Sequence, residues 1–330
     1  MLLSKLRKKL GAKNGRVNEP TSSRSAKSGA IALQDPLAQR ILPDPKSSDA
    51  EGNSNTATQP SDDAEMLLAV QARIDRAKSF GMDAQAFLDR ITFDGPVSQS
   101  EVLECLRTFG LAIFPSIYDA EQLVAIECEY QDLIQNGADL ARDVVAREDT
   151  PANSFALSLQ RDALTVERFP ETTALFGSRS VEEIAQKFFA GQSFDYNSDL
   201  FVQWTDHTDV PASGPLHWDK QLTLKSWLYV TDATEGHGAM RAGVGTAAWT
   251  RYIREDAMFD GVPYRQIVNQ IREKGFPVVS TGGPAGTFFL FVTDTAHGAT
   301  PVDPGKRRNI IRARSRPRRV KQWAAWASKL

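Results

Sequence analysis

Leu216-His217-Trp218-Asp219-Lys220, running on through Gln221-Leu-Thr-Leu-Lys-Ser-Trp-Leu-Tyr-Val230, joins a His-x-Asp triplet to a long apolar strand. In an extended chain residues i and i+2 face the same side, so His217 and Asp219 offer an imidazole and a carboxylate to one metal ion. A second His-x-Asp triplet, His207-Thr208-Asp209, ends a strand-like run and opens into the loop Val210-Pro-Ala-Ser-Gly214. His217 instead leads directly into a long apolar strand, and that context selects it. A third ligand must come from elsewhere in the chain. His297 lies eighty positions on, just past the apolar run Thr287-Phe-Phe-Leu-Phe-Val292, which would deliver it to a sheet interior. Two histidines and one carboxylate on one face of an octahedron leave three positions open for oxygen and a chelating co-substrate.

Arg308 stands eleven positions beyond His297, across the turn signal Asp303-Pro304-Gly305. With the turn centred near Val302 and Asp303, the two residues lie opposite each other on neighbouring antiparallel strands. Arg308 then projects toward the metal side, where a guanidinium grips a carboxylate in bidentate fashion.

Outward from these residues, the second half reads as short strands at Asp199–Thr205, Gln221–Val230, Gly286–Val292 and Arg308–Arg314, parted by Gly- and Pro-rich turns. Short helices are expected near Arg251–Met258 and Tyr264–Lys274. The first half is helical. Ser98 caps a helix carrying Val102, Leu103, Leu106 and Phe109 and stopping at Gly110. Leu111-Ala-Ile-Phe-Pro115 reads as a strand, and a helix follows from about Asp119 to Ile134. The fold class is therefore mainly β with flanking helices, a sandwich or jelly roll. Four segments result. Residues 1–62 form a disordered tail with a basic start, because residues 11–62 cannot bury enough apolar area to offset their ordering entropy. Residues 63–97 are a helical lead-in, with Met66, Leu67, Val70 and Ile74 on one face. Residues 98–316 hold the domain that carries the candidate ligands, and 317–330 a basic tail.

Composition narrows the classes. A chain of 330 residues, 41% hydrophobic and 24% charged, is ordinary for a globular protein. The net charge of −2 conceals basic ends: six Lys or Arg and no acid in residues 1–16, ten and none in 304–330. That leaves 23 of the 39 basic residues in a body holding all 41 acids. Such ends suit either plain solvation or weak contact with a membrane surface or an anionic carrier. A nucleic-acid arm is disfavoured, since only Trp323 and Trp326 could stack bases. Cys105 and Cys128 give neither a disulfide framework nor a zinc spacing, which fits a cytoplasmic protein, with the basic ends leaving peripheral membrane association open. No apolar run approaches the ~20 residues of a bilayer span.

From Ser98 to about Arg316 the chain resembles the phytanoyl-CoA dioxygenase family of iron(II)/2-oxoglutarate oxygenases. The resemblance is carried by Phe109-Gly-Leu-Ala-Ile-Phe-Pro115, by Leu216-His-Trp-Asp-Lys220 and by Leu224-Lys-Ser-Trp-Leu-Tyr-Val-Thr-Asp232. Gly286-Thr-Phe-Phe-Leu-Phe291, then His297 and Arg308, complete it. It implies a double-stranded β-helix (jelly roll, cupin-like), with Fe(2+) on His217, Asp219 and His297, and O2 and 2-oxoglutarate as co-substrates. Arg308 would take the distal carboxylate of 2-oxoglutarate, with Trp227 and Gln203 beside it. Related halogenases lack the carboxylate ligand, so Asp219 implies hydroxylation of a C–H bond on a small or carrier-linked molecule. Two departures bear on the pocket. Gly243-Val-Gly-Thr-Ala247 lacks the histidine of the family's Pro-Gly-Ser-His-like turn, and Ala299 stands where a small hydroxyl is usual. His237, in Glu235-Gly-His-Gly238, occupies a loop that could border the substrate. The competing reading is a jelly-roll binding protein without turnover.

Overall fold

The computed structural model describes residues 34–45, 84–147, 152–208, 216–253 and 275–318, with single positions 72, 75, 271 and 273. From Asp35 onward these belong to one unit of the chain. The helix expected from Asp63, Asp209, residues 1–16 and residues 319–330 lie outside the described residues, as does most of Tyr264–Lys274.

In chain order the elements begin with strand β1 (Ile41–Leu42), helix α1 (Ala84–Ile91), β2 (Val97–Ser98), helix α2 (Gln99–Thr108) and β3 (Leu111–Phe114). Helix α3 (Ala120–Asn136) and strands β4 (Ala141–Arg147) and β5 (Ala152–Gln160) follow, then helices α4 (Pro170–Phe176) and α5 (Arg179–Phe188). Strands β6 (Phe194–Thr208), β7 (Leu224–Tyr229) and β8 (Met240–Gly243) precede helix α6 (Thr246–Ile253). The last strands are β9 (Val278–Ser280), β10 (Phe288–Val292), β11 (Ala296–Ala299) and β12 (Arg307–Pro317).

Ser98 and Glu101 form a reciprocal capping box at the start of α2, satisfying two backbone donors that the helix itself cannot. Asp119 and Gln122 do the same for α3. Both caps sit where the sequence puts helix starts.

The described strands make a seven-stranded sheet in the order β3-β10-β7-β12-β6-β5-β4 and a three-stranded sheet β11-β8-β9. Every pairing within the two is antiparallel. Strand β10, Phe-Phe-Leu-Phe-Val, is wholly buried, as the continuous apolar run of an inner strand must be. One face of the large sheet packs on helices: the Tyr130 hydroxyl of α3 donates to the Gln203 carbonyl and to Asn309 Oδ1. The opposite face looks toward the small sheet. The architecture is the expected jelly roll with helices outside, and no described helix is long and apolar enough to cross a membrane.

Three expectations change. Residues 34–45 are not part of a structureless tail: Leu37 and Ile41, four apart, are fully buried, and β1 pairs in parallel with β2. Two apolar residues in a polar stretch were enough to anchor it, and composition averaged over the stretch hides them. Strands β4 and β5 extend the sheet edge where no strand is legible, because Ala141-Arg-Asp-Val-Val-Ala-Arg147 carries a charged, half-exposed face. The helix expected at Arg251–Met258 starts earlier, at Thr246.

One glycine ties the helical half to the sheet. Gly110, between α2 and β3, has φ +79°, and an added Cβ would collide with Thr295 Oγ1. Its carbonyl accepts from the Val292 amide at 2.9 Å and the Thr295 hydroxyl at 3.1 Å, pinning the turn that leads to His297. Gly110→Ala must therefore both strain the backbone and displace Thr295. We expect a loss of about 2 kcal/mol or more, read as a melting temperature lower by about 4 °C or more. A variant melting with the wild type would refute this account of the junction.

Candidate metal centre

His217 and His297 form an isolated antiparallel pair. The His217 amide donates to the His297 carbonyl at 2.9 Å, and the His297 amide returns the bond at 2.7 Å. Residues exchanging both bonds present their side chains to the same face, and the two imidazole centroids stand 4.7 Å apart. Two residues on, the Asp219 amide donates to the Thr293 carbonyl at 3.2 Å, and its carboxylate points back to the pair. Asp219 Oδ1 lies 3.8 Å from His217 Nε2 and 3.6 Å from His297 Nε2. Among the described residues this is the one group of three such ligands within 4.8 Å of one another.

The donor set fits a divalent first-row metal. Ligands about 2.1 Å from a shared ion at right angles stand about 3 Å apart, so Asp219 Oδ1 needs to close on each imidazole by less than 1 Å. His297 Nδ1 donates to the Thr295 carbonyl at 2.8 Å, which fixes the tautomer and leaves the Nε2 lone pair facing the group. Asp219 is similarly held: Oδ1 faces the histidines while Oδ2 accepts from Lys225 Nζ at 2.5 Å. Burial works against ionising Asp219, yet Lys225 and His297 outweigh it and keep the carboxyl well below the ordinary carboxylate range. Thr293 holds the intervening segment, with its Oγ1 accepting from the Thr223 amide at 2.7 Å and donating to the Gln221 carbonyl at 2.9 Å.

The triad opens into a cavity of about 590 Å³, large enough for a co-substrate and a small molecule together. Its floor is the inner face of the large sheet, built from alternate residues of three paired strands. Gln203 and Phe201 come from β6, Lys225 and Trp227 from β7, and Arg308 and Arg312 from β12. Arg308 is buried. It donates to the Gly238 carbonyl at 2.6 Å and lies 3.4 Å from Thr205 Oγ1, while its Nε has no hydrogen-bond partner. A desolvated guanidinium with only neutral partners favours an anion beside it.

The expected hairpin between His297 and Arg308 is not what brings them together. His297 pairs with Ala242 in the small sheet, whereas Arg308 pairs with Thr205 in the large one. They line the same cavity from different sheets, because the Asp303–Lys306 turn carries the chain from one sheet to the other. Trp227 stacks on Phe289 at 5.6 Å, its Nε1 unpartnered, and Gln203 Nε2 donates to Thr205 Oγ1 at 3.2 Å. Ala299 lines the cavity as well. His237 is not among the residues lining it: its Nδ1 shares a 2.9 Å hydrogen bond with Thr234, in the loop whose Gly238 carbonyl meets Arg308. His207 Nδ1 contacts the Val302 carbonyl at 2.7 Å, apart from the triad. Lys225 and Arg312 were not singled out in the sequence. Their signal is the two-residue alternation with Trp227 and from Arg308, legible once the strands are assigned.

A sequence model of the phytanoyl-CoA dioxygenase family matches residues 106–310. Among solved structures, the non-haem α-ketoglutarate-dependent carbocyclase SnoK from nogalamycin biosynthesis is 16% identical. That alignment covers 67% of this chain and 86% of SnoK, with a TM-score of 0.51. The epimerase SnoN, solved with Fe3+, α-ketoglutarate and nogalamycin RO, is 15% identical over 66% of this chain and 83% of its own, with a TM-score of 0.50. At such identities the likeness is one of fold. Comparison with curated proteins gives no match.

If the three side chains act as one ligand set, a divalent metal stabilises the folded state. Saturating anaerobic Fe(II), or Mn(II) as a redox-inert stand-in, at about 100 times its dissociation constant adds about 2.7 kcal/mol, visible as a raised melting temperature. The rise should vanish in His297→Ala. No metal-dependent shift in the wild type would sink the assignment.

Proposed function

The chain belongs to the phytanoyl-CoA dioxygenase family, and from that premise we propose that it hydroxylates a C–H bond of a small molecule, with iron(II) held by His217, Asp219 and His297. Members are iron(II)- and 2-oxoglutarate-dependent oxygenases, and this chain is one of them. Bound together, the iron and 2-oxoglutarate supply the oxidising power, consuming dioxygen and releasing succinate and carbon dioxide.

The protein's own contribution is positioning. Arg308 takes the distal carboxylate of 2-oxoglutarate, and the observation that carries this reading is its buried guanidinium, which has only neutral partners in the cavity of the triad. Thr205 and the Gly238 carbonyl orient the guanidinium fork, so little freedom is lost when a carboxylate arrives. Trp227 and Gln203 flank the co-substrate. The Thr295 carbonyl and Lys225 hold His297 and Asp219 facing the ion, so little reorganisation is needed when it binds. Trp227 and Phe201 give the cavity its apolar lining beside the co-substrate. Asp219 supports hydroxylation rather than halogenation, since it fills the position a halide would take. Proteins of this fold also include a carbocyclase and an epimerase, so the product must be examined for added oxygen.

Anaerobic addition of iron(II) and 2-oxoglutarate to the full chain should give a weak visible charge-transfer band. Arg308→Gln should need about ten- to a hundredfold more 2-oxoglutarate to reach it, the cost of a charged hydrogen-bond partner. Asp219→Ala should lose the band. An unchanged band in both variants refutes these roles, and succinate release without 18O from 18O2 in the product refutes hydroxylation.

A further inference from the structure

Strand β12 and its end carry six described arginines, and they divide sharply. Arg307 pairs with Asp206, Arg314 with Asp199, Arg316 with Asp195, and Arg318 with Asp195. Arg308 and Arg312 have no such acid among the described residues. For Arg308 the co-substrate supplies one. Arg312 lies four residues along the same strand, hence on the same face, with its Cα about 13 Å from that of Arg308.

Arg312 is built into the cavity floor. Its guanidinium carbon sits 4.7 Å from the centroid of Phe201 and 5.3 Å from that of Trp227, its two cross-strand neighbours. Stacking on these rings holds the group without neutralising it. Its Nε is buried and unpartnered. A second hollow of about 380 Å³, sharing Phe201, Asp219, Lys225 and Arg312 with the first, continues past it toward Lys220 and Arg314.

The charge count points the same way. Ferrous iron and Arg308 are cancelled by Asp219 and dianionic 2-oxoglutarate. Lys225 shares Asp219 with the metal and Arg312 pairs with no carboxylate among the described residues, so the desolvated cavity keeps an excess of two positive charges. We infer that the substrate carries an anionic group, a carboxylate or a phosphate, gripped by Arg312 while the carbon to be oxidised lies toward the triad. This inference rests on the oxygenase reading and adds the substrate's chemical class to it.

The test uses the full chain loaded anaerobically with iron(II) and 2-oxoglutarate, which keeps Arg308 occupied. Phenyl phosphate, benzoate and neutral benzamide are titrated in turn and followed by calorimetry and by the charge-transfer band. Binding of at least one anion is expected, with benzamide at least tenfold weaker, and the tighter anion identifies phosphate or carboxylate. Arg312→Gln should weaken that anion about ten- to a hundredfold with the 2-oxoglutarate band intact, and Arg312→Lys by less. Should Arg312→Gln fail to fold, Arg312→Lys and the wild-type preference for anion over benzamide decide. Equal affinity in wild type and variants, benzamide binding as well as the anions, or no anion binding overturns the inference. A wild type without the band means instead that the oxygenase reading has failed.

Discussion

Two reciprocal backbone hydrogen bonds between His217 and His297 hold the site together. They join segments eighty residues apart, one entering β7 and the other lying on β11, and so set the distance between the two imidazoles before any metal is considered. What surrounds the pair serves it. Thr293 staples the Asp219–Thr223 segment, Gly110 pins the turn ahead of His297, and the Thr295 carbonyl fixes the ring's tautomer. A chelating site assembled this way draws its geometry from sheet backbone rather than from flexible side chains, which is what a preorganised centre requires.

The second organising constraint is alternation. Every cavity-floor residue from β6, β7 and β12 is an odd or even member of its strand, and the register locks them into rows. Phe201, Arg312, Trp227 and Phe289 form one row, and Arg314, Lys225 and Phe291 the next. The same pleat that puts Asn309 against the helix-borne Tyr130 puts Arg308 against the cavity. Charge on the inner face is thus costly by burial and cheap by placement, because each cation stacks on or bonds to a neighbour across the ladder.

Much of this was legible in the chain. The i, i+2 spacing of His217 and Asp219, the apolar run before His297 and the caps at Ser98 and Asp119 are local signals, and each element formed where the signal stood. Arg308 was legible as a residue but not as a geometry, since a turn of Asp-Pro-Gly type says that the chain reverses and not which sheet it rejoins. The unread parts depend on tertiary partners. Strands β4 and β5 are polar because they lie at an edge, Leu37 and Ile41 anchor a stretch whose average composition is that of a tail, and Lys225 and Arg312 look like surface cations until their strands are paired. Spacing within one strand is written in the sequence, whereas pairing between strands is only implied.

Arg308 and Arg312 ride on a single strand with a common phase, and this couples two recognitions to one ladder. On the proposed roles, a residue exchanged at 312 would alter the substrate's grip while leaving Arg308 in place. An extra residue inserted between 301 and 306 is taken up by the Asp303–Lys306 turn. Inserted just after Arg308 it would turn Ile310 and Arg312 outward and bring Ile311 and Ala313 inward, unless a bulge like the irregularity already present between Arg314 and Arg316 restores the phase.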